Sequence, residues 1–102
     1  MSERRLFTIH VDFLTPWSIT QEDVESVLEF IKSVIKRFFP THEKLSVIEI
    51  NENTVFTTYM MNFRTICTSE AAEKFRGYFD PPQNILASHN AKIEILHSSY
   101  SI

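Results

Sequence analysis

The sequence is poor in glycine and cysteine, two residues on which many phosphate-binding and covalent sites depend. Gly77 is the one glycine among 102 residues, where average usage would give about seven. Phosphate-binding loops of the P-loop and Rossmann types need several glycines, so both types are excluded. Cys67 is the one cysteine, which excludes an intramolecular disulfide and a zinc site built from cysteines.

Long hydrophobic runs and an excess of positive charge are also missing. No segment approaches the roughly 20 apolar residues that a membrane-spanning helix needs. The N-terminal residues alternate between apolar and polar, unlike the continuous apolar run of a signal peptide. The 10 basic and 13 acidic residues give a net charge of −3, without the clustered cations of a DNA-binding surface. We therefore expect a cytoplasmic protein with neither a membrane nor nucleic acid as its partner.

The composition that is present fits one globular domain over residues 1–102. Hydrophobic residues make up 43% of the chain and aromatic residues 13%. A domain of this size buries roughly 60–68% of the surface that its unfolded chain exposes, which is enough for a stable core. We therefore expect no disulfide, metal or cofactor to be required.

The first third of the chain predicts a strand followed by a helix. Residues 6–14 alternate, with four apolar side chains expected to face inwards: Phe7, Ile9, Val11 and Phe13. Thr20 begins a capping-box pattern, and Pro40 ends the helix that follows. Its apolar stripe has the spacing of an amphipathic helix: Val24, Val27, Leu28, Ile31, Val34, Ile35 and Phe38.

The middle of the chain predicts a hairpin followed by a second helix. Residues 44–51 and 54–66 have strand composition, and the polar residues 51–53 between them favour a tight turn. Thr68 or Ser69 is expected to cap the second helix, whose apolar side consists of Ala71, Ala72, Phe75 and Phe79.

The last part of the chain predicts one more strand. Residues 83–90 lean polar and are expected to be a connection, whereas residues 91–96 alternate again. Residues 98–102 are expected to form a tail that frays from the domain.

This β-α-β-β-α-β order predicts an α+β fold of the ferredoxin-like type. Such a domain is a two-layer sandwich, in which two helices cover one face of a four-stranded antiparallel sheet with strand order 4-1-3-2. The second face is left open to water, a ligand or another protein, and we expect function to lie there.

The alternation predicts which side chains the open face carries. If Phe7 and Ile9 point to the helices, the intervening residues point outwards. For the third strand two registers are possible, and the second of them would expose Tyr59 and Met61. The first gives an interaction face consisting of Thr8, His10, Asp12, Phe56, Thr58, Met60, Lys92, Glu94 and Leu96, together with Asn62.

His10 and Asp12 are the candidates for chemistry. They lie two residues apart on one strand face, and Glu94 is expected on the neighbouring strand. A histidine oriented by a carboxylate is a possible general base. A metal site is not expected, because His42, His89 and His97 have no second ligand at helical spacing. Free cysteines are among the most buried residues, so a structural role for Cys67 is favoured over a nucleophile.

Residues 6–11, Leu-Phe-Thr-Ile-His-Val, resemble the first-strand motif of RNA-recognition domains, which share this topology. The resemblance implies single-stranded RNA binding through aromatic side chains on the open face. Residues 55–61 depart from that family's third-strand motif, because they contain neither glycine nor a basic residue. The alternation also places Phe7 in the core instead of on the open face.

The sequence therefore favours a non-enzymatic protein-interaction module that acts through the open face or, as a homodimer, through an edge strand. The expected partner is a second copy, giving a homodimer, or another protein for which the chain is an accessory. Two alternatives stay open. One is a small dimeric α+β enzyme that uses His10 and Asp12, and the other is a weak single-stranded RNA binder.

Overall fold

The computed structural model describes residues 3–16, 20–51, 56–80, 83–88 and 91–101. Within those ranges it describes the side chains except at residues 51, 83–88, 91–94, 96, 97 and 101. The elements follow in the order β1 (Arg4–Pro16), α1 (Gln21–Phe38), β2 (Glu43–Asn51), β3 (Phe56–Thr68), α2 (Ser69–Tyr78), β4 (Gln83–Ser88) and β5 (Ala91–Ser101).

The strands form one antiparallel sheet with the order β2-β3-β1-β5-β4. β1 lies near its centre and pairs with β3 over its whole length, from Arg4 opposite Thr68 to Pro16 opposite Phe56. The predicted α+β content, an antiparallel sheet with two helices, is confirmed. The ferredoxin-like strand order is not confirmed as such, because β4 adds a strand at one edge.

The prediction of a connection over residues 83–90 was wrong for Gln83–Ser88, which form β4. This strand pairs antiparallel with β5, from Gln83 opposite Ile95 to Ser88 opposite Ala91. It is a short strand at the sheet edge and is joined to the sheet by backbone pairing, which does not require an alternating sequence. Part of the predicted hairpin turn, residues 52 and 53, lies outside the described residues.

The prediction of a frayed tail was wrong as well, because β5 continues to Ser101. A register shift opposite Asp12 and Phe13, which pair with His97 and Ile95, leaves Leu96 as an extra residue. Beyond this bulge, Tyr100 contacts Phe7 edge-on at 5.1 Å between ring centroids. Its hydroxyl donates to Glu73 Oε1 of α2 at 2.5 Å, and this hydrogen bond joins the end of β5 to α2.

Both helices begin at the caps that the sequence predicts. The Thr20 hydroxyl accepts from the Asp23 amide at 3.2 Å, and the Thr68 hydroxyl accepts from the Ala71 amide at 3.1 Å. Thr68, not Ser69, is therefore the cap of α2. α1 ends at Phe38, where the next amide donates to the Ile35 carbonyl at 2.7 Å. No helix in the described ranges is long and apolar enough to cross a membrane.

The core lies between the helices and one face of the sheet. The ring centroid of Phe75 in α2 lies 5.7 Å from that of Phe63 in β3 and 5.5 Å from that of Phe38 at the end of α1. The three elements therefore meet at this ring. The predicted inward residues of β1 are at most 1% exposed, which confirms their direction. Buried residues of α1 belong to the same cluster: Val24, Val27, Ile31, Val34 and Ile35. The helices therefore cover one face and leave the other face of the central strands open.

Candidate interaction face

The register of the third strand, which the sequence left open, is decided by burial. Tyr59, Met61 and Phe63 are 8%, 0% and 0% exposed and contribute to the core. Their neighbours Met60 and Asn62 therefore point to the opposite side of the sheet and are partly exposed. The first of the two predicted registers is thus the observed one. By the same alternation Val55 is expected to point inwards, but it lies outside the described residues.

We use the name open face for the side of β1, β2 and β3 that the helices leave uncovered. Cross-strand pairs share a face, so the register defines its members. They are Leu6, Thr8, His10, Asp12 and Leu14 of β1, Ser46, Ile48 and Ile50 of β2, and Phe56, Thr58, Met60, Asn62, Arg64 and Ile66 of β3. Thr58 is only 9% exposed, so it contributes little of the surface.

His10 stands in the polar middle of the open face. Asn62 lies directly opposite on β3, and the His10 Nδ1 and the Asn62 Oδ1 form a hydrogen bond. An amide oxygen only accepts, so in this hydrogen bond Nδ1 is the donor. Ser46 of β2 lies opposite Asn62 on the other side of β3, and Ser99 of β5 lies opposite His10. This row of polar residues crosses four strands.

The next row along the strands contains Asp12. Met60 lies opposite it on β3, with Ile48 beyond on β2, so two apolar side chains stand beside one carboxylate. On the other side, His97 is opposite Asp12 in the backbone register. His10 and Asp12 therefore share the open face, as predicted, but the described partner of His10 is an amide and not a carboxylate.

Glu94, the third candidate for catalysis, lies further along the sheet in the backbone register. It is opposite Leu14, because the bulge at Leu96 shifts the pairing of β5. Leu14 is four residues along β1 from His10, a distance of about 13 Å. The register therefore places Glu94 two rows from His10. The side chains of Lys92, Glu94 and Leu96 lie outside those that the structure describes, and their outward direction stays a prediction.

Large apolar side chains are concentrated on the open face. Leu6 and Ile66 form a cross-strand pair at one end and are 41% and 53% exposed. Ile48 at 49% and Phe56 at 40% lie toward the other end. Leu6, Ile48 and Ile66 were absent from the predicted face, although Leu6 precedes Thr8 by two residues and the same alternation would have included it. Val47, at 39%, points to the helix side at the sheet edge.

The free edge of β2 is shaped against strand pairing. Its register with β3 shifts between Glu43 and Ser46, and Lys44 within that shift has a positive φ of 56°. Bulges and charged residues at an edge prevent a further strand from adding to the sheet. Glu49 also extends from this strand and accepts a hydrogen bond from the Tyr59 hydroxyl at 3.4 Å. The open face is therefore a better candidate surface than this edge.

Cys67 and His42 contribute to packing. Cys67 is 6% exposed, which confirms its predicted burial; burial raises the pKa of its thiol, and the Arg4 charge opposes that rise. His42 is half-buried, with Nδ1 2.8 Å from the Phe39 carbonyl and its ring against Phe63. The described residues contain no cluster of three or more side chains suited to a metal ion.

Two depressions lie away from His10. One of about 760 Å³ is wide open and is bordered by the first turn of α2 and by Tyr100. The other, of about 340 Å³, lies between Arg4, Phe39 and Cys67. Neither contains a residue of the predicted catalytic set. Comparison of the chain with known protein families, with curated proteins and with solved structures gave no match.

Proposed function

We propose that this chain is a non-enzymatic protein-interaction module that binds a second copy or another protein through the open face. One observation carries the proposal. Of the five large hydrophobic side chains that are exposed among the described residues, four lie on that face. They are Leu6, Ile48, Phe56 and Ile66.

The energetics of apolar surface support this proposal. Removing apolar surface from water contributes about 25 cal/mol per Å² of favourable free energy. Each of these side chains that a partner covers therefore stabilises the complex. Exposed apolar side chains that gather on one face, with polar residues beside them, mark an interaction surface more often than scattered ones do. The polar row of His10 and Asn62 between the apolar ends supplies directional contacts.

The described geometry does not favour the two alternatives. The enzyme alternative was based on a His10 that a carboxylate orients, and the described partner of His10 is the Asn62 amide. For RNA binding through the first-strand motif, Phe7 would need to stack on bases, and it is 1% exposed. Both alternatives stay predictions of the sequence, as does the cytoplasmic location.

We also infer that the fold is a ferredoxin-like arrangement to which β4 adds an edge strand. The neighbours of β1, which are β3 and β5, are those that this arrangement requires for the first strand. Both helices contribute to one core cluster, and this supports the same inference. The consequence for function is that the sheet keeps a face without helices.

The proposal is tested with two substitutions at adjacent positions of β2. Ile48→Glu places a charge on the open face, whereas Val47→Glu places the same charge on the other side of the strand. Their side chains are similarly exposed, at 49% and 39%, so the second variant is a matched control. Circular dichroism and thermal unfolding would show that both variants are folded.

Each variant is then compared with the unmodified chain in sedimentation and in affinity capture from cells of the source organism. We expect Ile48→Glu to lose self-association or a captured protein that Val47→Glu retains. If both variants behave as the unmodified chain does in both measurements, the open face is not an interaction surface and the proposal is wrong.

A further inference from the structure

Arg64 and Asp12 lie in different rows of the open face. Arg64 pairs with Thr8, two residues before His10, whereas Asp12 lies two residues after it. The basic row and the acidic row therefore flank the polar row of His10. Glu43, opposite Arg64 on the edge strand, is the exception to this separation. A surface with this polarity is complementary to a copy of itself that is rotated by 180° about an axis perpendicular to the strands.

We propose that the occupant of the open face is a second copy of this chain, packed face to face about a two-fold axis that crosses the strands near His10. The proposal rests on the function proposed above and specifies its partner. In this antiparallel arrangement, Arg64 of each copy reaches toward Asp12 of the other copy. Aligned sheets pack about 10 Å apart, a gap that arginine and aspartate side chains span together.

The same axis brings the apolar ends together. The Leu6–Ile66 pair of one copy lies over the end of the second copy that carries Leu14 and Phe56. Packed sheets cross at about 30°, which displaces the ends sideways but leaves the rows near the axis in place. Each end carries an apolar side chain on both β1 and β3, so the sideways displacement retains apolar contact. These side chains are Leu6 and Ile66 at one end and Leu14 and Phe56 at the other.

The open face is large enough for a stable dimer. β1 and β3 have 13 residues each. At about 3.3 Å per residue and about 4.8 Å between strands, β1, β3 and the 9 residues of β2 present on the order of 550 Å². The 11 residues of β5 extend this side of the sheet to about 700 Å². A standard interface buries roughly 800 Å² per partner, and specific interfaces begin at about 600 Å² per partner. The area is therefore sufficient when β5 contributes to the interface, and no strand pairing at the free edge of β2 is required.

A two-fold axis parallel to the strands would bury the same area with worse electrostatics. Each row would then face the same row of the second copy, so that the two Asp12 carboxylates would lie near one another. Arg64 would stand two rows, or about 13 Å along the strand, from Asp12 of the other copy. Like charges in an interface are unfavourable, and charge complementarity therefore selects the antiparallel arrangement.

The test uses a charge exchange between two variants, Arg64→Glu and Asp12→Lys. Each variant alone places like charges opposite each other in both symmetry-related contacts. We expect its dimer dissociation constant to rise by at least about tenfold. In an equimolar mixture, the glutamate introduced in one variant meets the lysine introduced in the other, and the second contact keeps its original charges. We therefore expect sedimentation to show a mixed dimer at concentrations where each variant alone is monomeric.

The outcomes separate this inference from the function on which it rests. If the unmodified chain is monomeric at every soluble concentration while Ile48→Glu still loses a captured protein, the interaction module stands and the second copy is wrong. If the unmodified chain dimerises but the mixed variants do not, the antiparallel arrangement is wrong. If Ile48→Glu changes neither measurement, both proposals fail.

A second measurement keeps the arrangement testable should either charge variant fail to fold. In a Cys67→Ser background, Met60→Cys and Arg64→Cys place single thiols on β3 in the two rows that flank His10. In a mixture of these variants, a short bifunctional thiol reagent should link position 60 of one copy to position 64 of the other more efficiently than it links identical positions. Preferred linkage between identical positions would overturn the antiparallel arrangement.

Discussion

The two faces of β1 are built from alternate residues of one short segment, yet they differ in burial. On the helix-covered face, Phe7 and Val11 are at most 1% exposed and lie within the common core. On the open face, His10 and Asp12 are only partly buried, and Leu6 is 41% exposed. The first face provides the free energy of folding, because it removes apolar surface from water within the chain. The second keeps apolar side chains such as Leu6 exposed.

The largest expected difference between the faces is in the free energy of unfolding of two phenylalanine variants. Phe75 is fully buried and contacts Phe38, Phe39, Phe63 and Phe79, whereas Phe56 is 40% exposed. We expect Phe75→Ala to cost about 3–5 kcal/mol because it opens a cavity. Phe56→Ala should cost about 1 kcal/mol or less. Urea unfolding measures both, and equal costs would remove the distinction between the faces.

Adjacent methionines of β3 give a sharper comparison. Met61 is 0% exposed, and Met60 is partly exposed on the open face. We expect Met61→Ala to lower the free energy of unfolding by about 2–5 kcal/mol and Met60→Ala by about 1 kcal/mol or less. Chemical unfolding of the monomer provides the measurement. A larger loss for Met60→Ala would mean that the register of β3 is opposite to the one described.

Thiol reactivity compares accessibility on the two faces without a loss of core volume. Cys67 points to the core, and burial raises the pKa of its thiol, so its reactive thiolate is scarce at neutral pH. In a Cys67→Ser background, and at concentrations where the chain is monomeric, Met60→Cys should react with an aromatic disulfide reagent more than about 10²-fold faster than native Cys67. Similar rates in the folded chains would show that Cys67 is accessible. Rates in denaturant serve as the control.

The smallest expected effect is the alkaline sensitivity of Tyr59. Burial raises the pKa of its hydroxyl, and the nearby Glu49 carboxylate raises it further. The unfolded chain then releases this proton at a lower pH than the folded chain does, so stability should fall as the pH rises above about 10. Tyr59→Phe should make that fall shallower in thermal unfolding at about pH 9 to 11, with the unmodified chain as reference. An unchanged slope would contradict the assigned environment.

Much of the helix-covered layer is predictable from local pattern. The caps at Thr20 and Thr68 follow from hydroxyl side chains placed before an apolar stripe, and the stripe of α1 became the core. Alternation in β1 predicted its inward side chains because a strand that is buried on one face must repeat every two residues. These features depend on residues that are close in the chain.

The open face was predictable only in part. Alternation placed His10 and Asp12 on it, but the chain pattern was compatible with both registers of β3. The partner of His10 is an asparagine 52 positions away in sequence, and no local signal indicates that pairing. β4 and the extension of β5 were missed because polar and small residues form strands when a neighbouring backbone supplies the hydrogen bonds.

The sequence by itself determined the α+β content, the two helices and the inward side chains of the first strand, because each depends on periodicity and capping within a few residues. Tertiary structure decided the register of β3, the presence of the edge strand β4 and the rows that place Arg64 and Asp12 on either side of His10. These features depend on which strands pair and in which register. Burial of apolar side chains selects the register only when the strands are assembled into the sheet. The candidate interaction face belongs to this second group.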